Sequence, residues 1–294
     1  MSKYSCPNSK CLSRVQTNSG SNFVLNGFYS RPSDGRKIQR FRCKFCGKNY
    51  SKATFHPAYR QNKRRVNYKL KKLLCSGVSQ RRCAFHLNIN KVTVARKLRF
   101  LAAQAKISHQ KFLKRRRKFT NIQFDDLITI EHTKCKPLSV SLAVEANTRI
   151  IIGLEVSSMP ANGNLAHFSR LKYGPRKDER QQGLDKLFRE FGKKVSPKAQ
   201  FSSDEHPFYP RVVKKYFPDS DHKRFKGGRG CITGQGELKK LKFDPLFDLN
   251  HTCAMLRANI NRLFRRTWCT TKDPQRLHDH LMLYVNFHNR YLVA

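Results

Sequence analysis

Carboxylates are what this chain lacks. Its 294 residues carry 19 Asp and Glu against 61 Lys and Arg, a formal net charge of +42. Residues 1–124 hold 31 of the basic residues and a single acid, Asp34, for a net +30. Residues 125–294 hold the other 30 with 18 acids, for a net +12. No acid lies between Asp34 and Asp125. Such a stretch repels itself unless counterions or a polyanion cover it, and a nucleic acid backbone is the expected cover. Long apolar runs are also missing. Stretches such as Ile150-Ile151-Ile152 fall far short of the roughly 18 residues a membrane helix needs. The opening MSKYSCPNSK has no apolar core of the kind a signal peptide has, so a cytoplasmic, nucleoid-associated protein is expected. Internal repeats and low-complexity tracts are absent. Wholesale disorder is excluded by 21 Phe and 10 Tyr, which supply ample material for a core.

Ten cysteines are present, and in a cytosolic chain their spacing reads as metal binding rather than as a disulfide scaffold. Cys6 and Cys11 bracket four residues. Cys43 and Cys46 bracket two and are followed by Gly47. Between the pairs, Phe23-Val24-Leu25, Gly27-Phe28-Tyr29 and Arg40-Phe41-Arg42 read as β-ribbon, punctuated by the turn signal Ser33-Asp34-Gly35. Two cysteine knuckles on a ribbon gather four thiolates around a structural, tetrahedral zinc ion, whose binding supplies the folding energy that so small a core cannot. The remaining cysteines read as core or surface thiols.

Residues 62–105 predict three helices: about Lys63–Cys75, Ser79–Leu87 with Ser79 as N-cap, and Lys91–Ala105. Val94, Leu98 and Leu101 make an apolar stripe on the third, with Arg96, Lys97 and Arg99 read as lying off it. A short helix, a tight turn and a basic helix form the helix-turn-helix arrangement, whose last helix enters the major groove. Lys91 and Thr93 near its start, with Arg96 and Lys97, are the expected DNA contacts. A basic run, Lys114–Lys118, closes this half.

Beyond it, Phe124–Ile130, Leu138–Val144 and Arg149–Val156 read as three strands in a meander. A helix (Arg180–Phe191), a strand (Ala199–Ser203), a helix (Tyr209–Phe217), a strand (His222–Phe225) and a long helix (Leu249–Arg266) follow. The order β-β-β-α-β-α-β-α is that of a ribonuclease-H-like fold. The expected fold class is therefore α+β: a zinc ribbon (1–58), a three-helix helix-turn-helix (59–110), a basic linker (111–121) and a ribonuclease-H-like mixed sheet with flanking helices (122–294). Asp125 and Asp126 inside a strand are costly to bury unless they are paired or bind metal. Asp204 ends a second strand. If those strand ends are neighbours, their oxygens suit Mg²⁺ and the two-ion chemistry of phosphoryl transfer. Asp204-Glu205 could equally cap the following helix.

Four stretches carry a resemblance: CKFCGKNYS at 43–51, FDDLITIEHTK at 124–134, SSDEHPFY at 202–209 and LNHTCAMLRANINRLFRRT at 249–267. Together they resemble the bacterial insertion-sequence transposases of the Asp-Asp-Glu class, most of all the zinc-ribbon branch related to insertion sequence one. The resemblance implies a helix bearing the third metal-binding acid, followed seven residues later by a basic residue that touches the DNA end. Counting back from Arg257 reaches Asn250, not Glu. Asn250, Arg257 and Asn261 share one face of that helix, while Cys253, Leu256, Ile260 and Leu263 share the other. An Asn carbonyl can ligate Mg²⁺ without bringing charge. Asp125, Asp204 and Asn250 are the implied catalytic set, holding Mg²⁺ or Mn²⁺. Asp248, His251, Glu237 or an inactivated copy stand as alternatives for the third position. Arg257, Arg262 and Arg265, with Arg266 and Lys272, offer a basic surface for the terminal-repeat duplex. Trp268 and the glycine-rich loop at 227–230 read as structural. The implied activity is cleavage at the element's ends and 3′-hydroxyl transesterification into target DNA, by a homo-oligomer assembled on DNA. The competing readings are a non-catalytic DNA-binding regulator or domesticated transposase and, more remotely, an RNA-binding protein.

Overall fold

The computed structural model describes residues 5–14, 21–32, 34–226, 244–264 and 267–293. Arg265, Glu237 and the glycine-rich loop lie outside them. The chain divides into two compact units, residues 1–68 and 69–294.

The first unit is a three-stranded antiparallel sheet in the order β1 (Phe23–Ser30), β2 (Lys37–Cys43), β3 (Asn49–Ser51). Its core is very small. Phe41 and Tyr50 are buried with Cys6, Cys11 and Cys43. Phe23 packs edge-on to Phe41 with ring centroids 4.9 Å apart. So little apolar area cannot by itself offset the entropy of ordering the chain.

The second unit is a mixed α+β body. Its five-stranded sheet has the order β6-β5-β4-β7-β8. The strands are β4 (Phe119–Glu131), β5 (Thr133–Glu145), β6 (Ile151–Ser158), β7 (Val195–Ser203) and β8 (Asp221–Arg224). The first three pair antiparallel as a meander, and β7 and β8 add parallel to β4. This is consistent with the expected ribonuclease-H-like arrangement. The helices are α1 (Asn67–Leu74), α2 (Gln80–His86), α3 (Lys91–Arg115), α4 (Leu165–Tyr173), α5 (Arg180–Phe191), α6 (Tyr209–Tyr216), α7 (Phe247–Asn259) and α8 (Pro274–Tyr291).

Alternation along β4 sends Phe124 to one face of the sheet and Leu127 to the other. On the Phe124 face, Phe188 and Phe191 of α5 pack with Phe201 and Tyr209. On the Leu127 face, α7 and α8 pack together with the helical segment of the first half: Leu70, Leu74, Val94, Leu98 and Ala105 share one cluster with Leu138, Val140, Leu142, Leu256 and Leu281. The three helices expected as a separate reader thus lie on the sheet as part of one body. Ser79 caps α2 by accepting from the Arg82 amide at 3.3 Å, and Asn90 caps α3 through the Val92 amide at 2.8 Å. Helix α3 does not stop at Ala105. His109 and Leu113 continue its buried stripe, so the expected linker is helical as far as Arg115.

Helix α5 lies unusually close to β6. A Cβ placed on Gly183 would collide with Ser157 Oγ and come within 3.2 Å of Ser157 Cβ. Gly183→Ala should therefore lower stability. The ~1 kcal/mol of helix propensity it gains is smaller than the ~1–3 kcal/mol typical of overpacking. Urea midpoints should show the loss, and adding Ser157→Ala should recover most of it.

Candidate functional site

Two sites are built here, one in each unit. In the first, the knuckle after β2 turns through Gly47 (φ +68°), whose amide donates to the Cys43 carbonyl at 3.1 Å. This returns Cys46 towards Cys43, while residues 6–11 bring the other pair. The sulfurs of Cys6 and Cys46 are 3.6 Å apart, as are those of Cys11 and Cys43. All four sulfurs lie within 4.8 Å of one another. A tetrahedron of thiolates about 2.3 Å from zinc has an edge of about 3.8 Å, so the set fits that ion. Cys6 is pushed up to about 12 by burial. Burial also opposes ionisation of Cys43, yet the amides of Cys46 and Phe45 hold it down at about 6. Four sulfurs this close cannot all be thiolates without a cation among them.

The second site lies on β4. Gln123 pairs with Ser202 of the parallel strand β7, so two residues further along Asp125 comes beside Asp204. Asp125 Oδ1 accepts from the Asp126 amide at 2.7 Å and from the Tyr209 hydroxyl at 3.0 Å. Its carboxyl is raised to about 7, first by burial and next by the charge of Asp204, against the pull of those two hydrogen bonds. Asp204 Oδ1 accepts from the His206 amide at 3.0 Å in the turn leading to α6. Asp126 points to the opposite face. There its cross-strand partner Ser141 donates to it at 2.5 Å. Burial raises Asp126 as well, opposed by Ser141, Ser139 and the charges of His206 and Arg180.

Helix α7 is seated on β4 by one side chain. Gln123 is buried; its amide nitrogen donates to the Pro245 carbonyl at 3.0 Å and its oxygen accepts from the Leu249 amide at 2.9 Å. Asn250 is exposed, and its amide nitrogen donates to Asp244 at 2.8 Å. The residue of α7 that feels the charge of Asp125 is Cys253, one turn further on, whose thiol is raised to about 12 by burial and then by Asp125. The structure thus brings Asp125 and Asp204 together and leaves Asn250 bonded to Asp244. Of the alternatives, Asp248 accepts from the Asn147 amide at 2.7 Å and His251 lies 3.2 Å from the Arg149 guanidinium, so both are engaged with the β5–β6 turn. Among the described residues, the four cysteines are the one group of three or more His, Cys, Asp or Glu placed to share a metal ion.

The expected DNA contacts divide. Lys91 and Arg96 are exposed and Thr93 is half-buried. Lys97 is 3% exposed, and burial lowers its pKa. It sits only 60° around the helix from Val94, inside the buried arc, so it cannot meet a phosphate. Arg257 is half-buried. Arg262 is also drawn inward, donating to Thr271 Oγ1 at 2.9 Å, and burial lowers its pKa. Tyr209 and Gln123 belong to the site although their residue types gave no sign of it; Tyr209 lay within the SSDEHPFY stretch.

No protein-family model and no curated protein matches the chain. Among solved structures it is similar to the catalytic domain of Mos1 transposase with raltegravir and Mg, at 8% identity over 66% of this chain and 90% of that one, with a TM-score of 0.26. It is similar to the catalytic domain of Mos1 mariner transposase at 13% identity over 66% and 88% of the two chains, TM-score 0.23. The Mos1 strand transfer complex follows at 12% identity over 77% and 79%, TM-score 0.24. Likenesses this faint carry no weight by themselves.

Two outcomes follow from the geometry. Cys43→Ser should abolish stoichiometric zinc measured by atomic absorption, and limited proteolysis should then cut within residues 1–68 while residues 69–294 persist. Asp125, held above its unfolded value, favours the fold only while protonated. That contribution is whole below about pH 4 and is lost as pH rises through about 7. In magnesium-free buffer, Asp125→Asn keeps an oxygen for both donors. It should raise the urea midpoint at pH 8, by up to a few kcal/mol in stability, and change little near pH 4.

Proposed function

We propose that the chain is a DNA transposase of the Asp-Asp-Glu type, in a variant with Asn at the third position. The observation that carries this reading is Asp125, midway along β4, beside Asp204 at the end of the adjacent parallel strand β7, in a chain of net charge +42. A carboxylate whose ionisation is opposed by burial and by a neighbouring carboxylate suits a divalent cation, and Mg²⁺ or Mn²⁺ is the ion such oxygens fit. When bound there, it would supply activation of the attacking oxygen and charge stabilisation of the leaving one.

The chain's own residues supply position. Tyr209 and the Asp126 amide fix the Asp125 carboxylate, and Gln123 fixes the helix that carries Asn250 and Arg257. Asn250 joins the set by releasing Asp244. Water attacks the phosphodiester at the element's end and the bond to the 3′-oxygen breaks; the freed 3′-hydroxyl then attacks a phosphate of target DNA, and the target's own 3′-oxygen leaves as a 3′-hydroxyl. The first unit, with zinc on Cys6, Cys11, Cys43 and Cys46, and the helix-turn-helix segment, through Lys91, Thr93 and Arg96, bind the terminal inverted repeats. Joining two ends requires a homo-oligomer on DNA, working at the nucleoid. The hydrogen bond from Asn250 to Asp244 favours a second reading, a DNA-binding regulator that performs no chemistry.

Incubation with end-containing duplex and Mg²⁺ separates the two. The transposase should nick at the element's end, and Asp125→Asn or Asp204→Asn should reduce nicking by at least about 10²-fold while leaving duplex binding intact. Binding without nicking by the natural chain would establish the regulator. Asn250→Ala that nicks as well as the natural chain would remove Asn250 from the set.

A further inference from the structure

A groove of about 1390 Å³ opens in the second unit, between the start of α3 with the preceding α2 on one wall and the segment from α7 to α8 on the other. It includes neither Asp125 nor Asp204. Its volume exceeds the roughly 300–1,000 Å³ of clefts that enclose small molecules, so a polymer is the better fit. The walls are cationic. Arg81, Arg82, Lys91 and Lys272 line it, all are exposed, and none forms an ion pair with an acid among the described residues. The one carboxylate in the lining, Asp273, is occupied: it caps α8 through the Gln275 amide at 2.8 Å and pairs with Arg276 at 3.2 Å. Trp268 stands in this groove with 78% of its surface exposed, although the sequence reads it as structural. Val78 and Val92 add apolar lining.

An indole this exposed in a cationic groove is what a nucleic acid base stacks on. In a duplex the base faces are covered by their neighbours, so only an unpaired or splayed base can use it. We infer that this groove binds a single strand of DNA, with a base stacked on Trp268 and the flanking phosphates on Arg81, Arg82 and Lys272. The inference deepens the transposase reading and rests on it for the choice of DNA. It gives the protein a place for unpaired nucleotides, separate from the acidic site.

Trp268 is the chain's single tryptophan, so its emission reports on the groove directly. The full-length protein is titrated with a dodecamer of thymidylate and with a blunt duplex of equal length, at fixed salt and without Mg²⁺. The single strand should quench the indole strongly and the duplex weakly. Trp268→Ala should weaken single-strand binding, followed by anisotropy, roughly 10-fold, and Trp268→Phe should keep most of it. Arg81→Gln and Lys272→Gln should each lower the slope of log affinity against log salt by roughly 0.7. Equal quenching by the duplex, tighter binding of an RNA strand, or unchanged single-strand affinity in a folded Trp268→Ala variant would overturn the proposal. Loss of quenching with end nicking intact sinks the groove alone. Quenching without nicking by the natural chain sinks the transposase reading alone.

Discussion

The second unit turns on one unfavourable juxtaposition, two carboxylates at the same level of adjacent parallel strands. Asp125 gains two hydrogen bonds there and still sits near 7, because burial and the charge of Asp204 together outweigh them. A sheet chosen for stability alone would carry a hydrophobic residue at that point. Around it the fold is conventional: Phe124 one residue earlier joins an aromatic cluster with Phe188 and Tyr209, at 5.2 and 4.9 Å between ring centroids. The cost falls on Asp125 and, through burial alone, on Asp126, and the neighbouring packing holds both in place.

The first unit works by a similar logic with sulfur in place of oxygen. Its sheet buries too few side chains to close by itself, and the four cysteines are set at an edge that matches a thiolate tetrahedron. In both units the polar cluster is a cost that a cation would relieve. The zinc site would thereby hold the fold, whereas the acidic site would be held by it.

Much of this was legible in the sequence where local chemistry and burial agree. Helix α5 is found at Arg180–Phe191, the bounds its apolar spacing indicates, and Ser79 caps α2 as its residue type suggests. Legibility failed where polar residues turn inward. The elements read from the sequence end at Arg266, and helix α8 (Pro274–Tyr291) lies beyond them. In it His280 and His288 bond the carbonyls of Leu74 and Arg149, and Asn289 brackets Ile151 with both its amide groups. No periodicity announces a helix whose polar side chains are satisfied by distant backbone. Lys97 misled for a related reason, since its charge says surface while its angle around α3 says interior. The acidic pair was half legible: two strand-borne Asp residues stood out, but their adjacency depends on a parallel register that only the fold supplies. The amide of Asn250 lies with Asp244, a residue whose place at the mouth of α7 had no signature.

Helix α3 runs unbroken for 25 residues, about 37 Å, from the cationic groove to the edge of the sheet, with one stripe buried from Val94 to Leu113. Under the proposed function, a rod of that kind leaves no swivel between the groove and the acidic pair. A strand across its first turn would be held at a fixed bearing to β4. Alignment of DNA would then come from bending the nucleic acid rather than from flexing the protein.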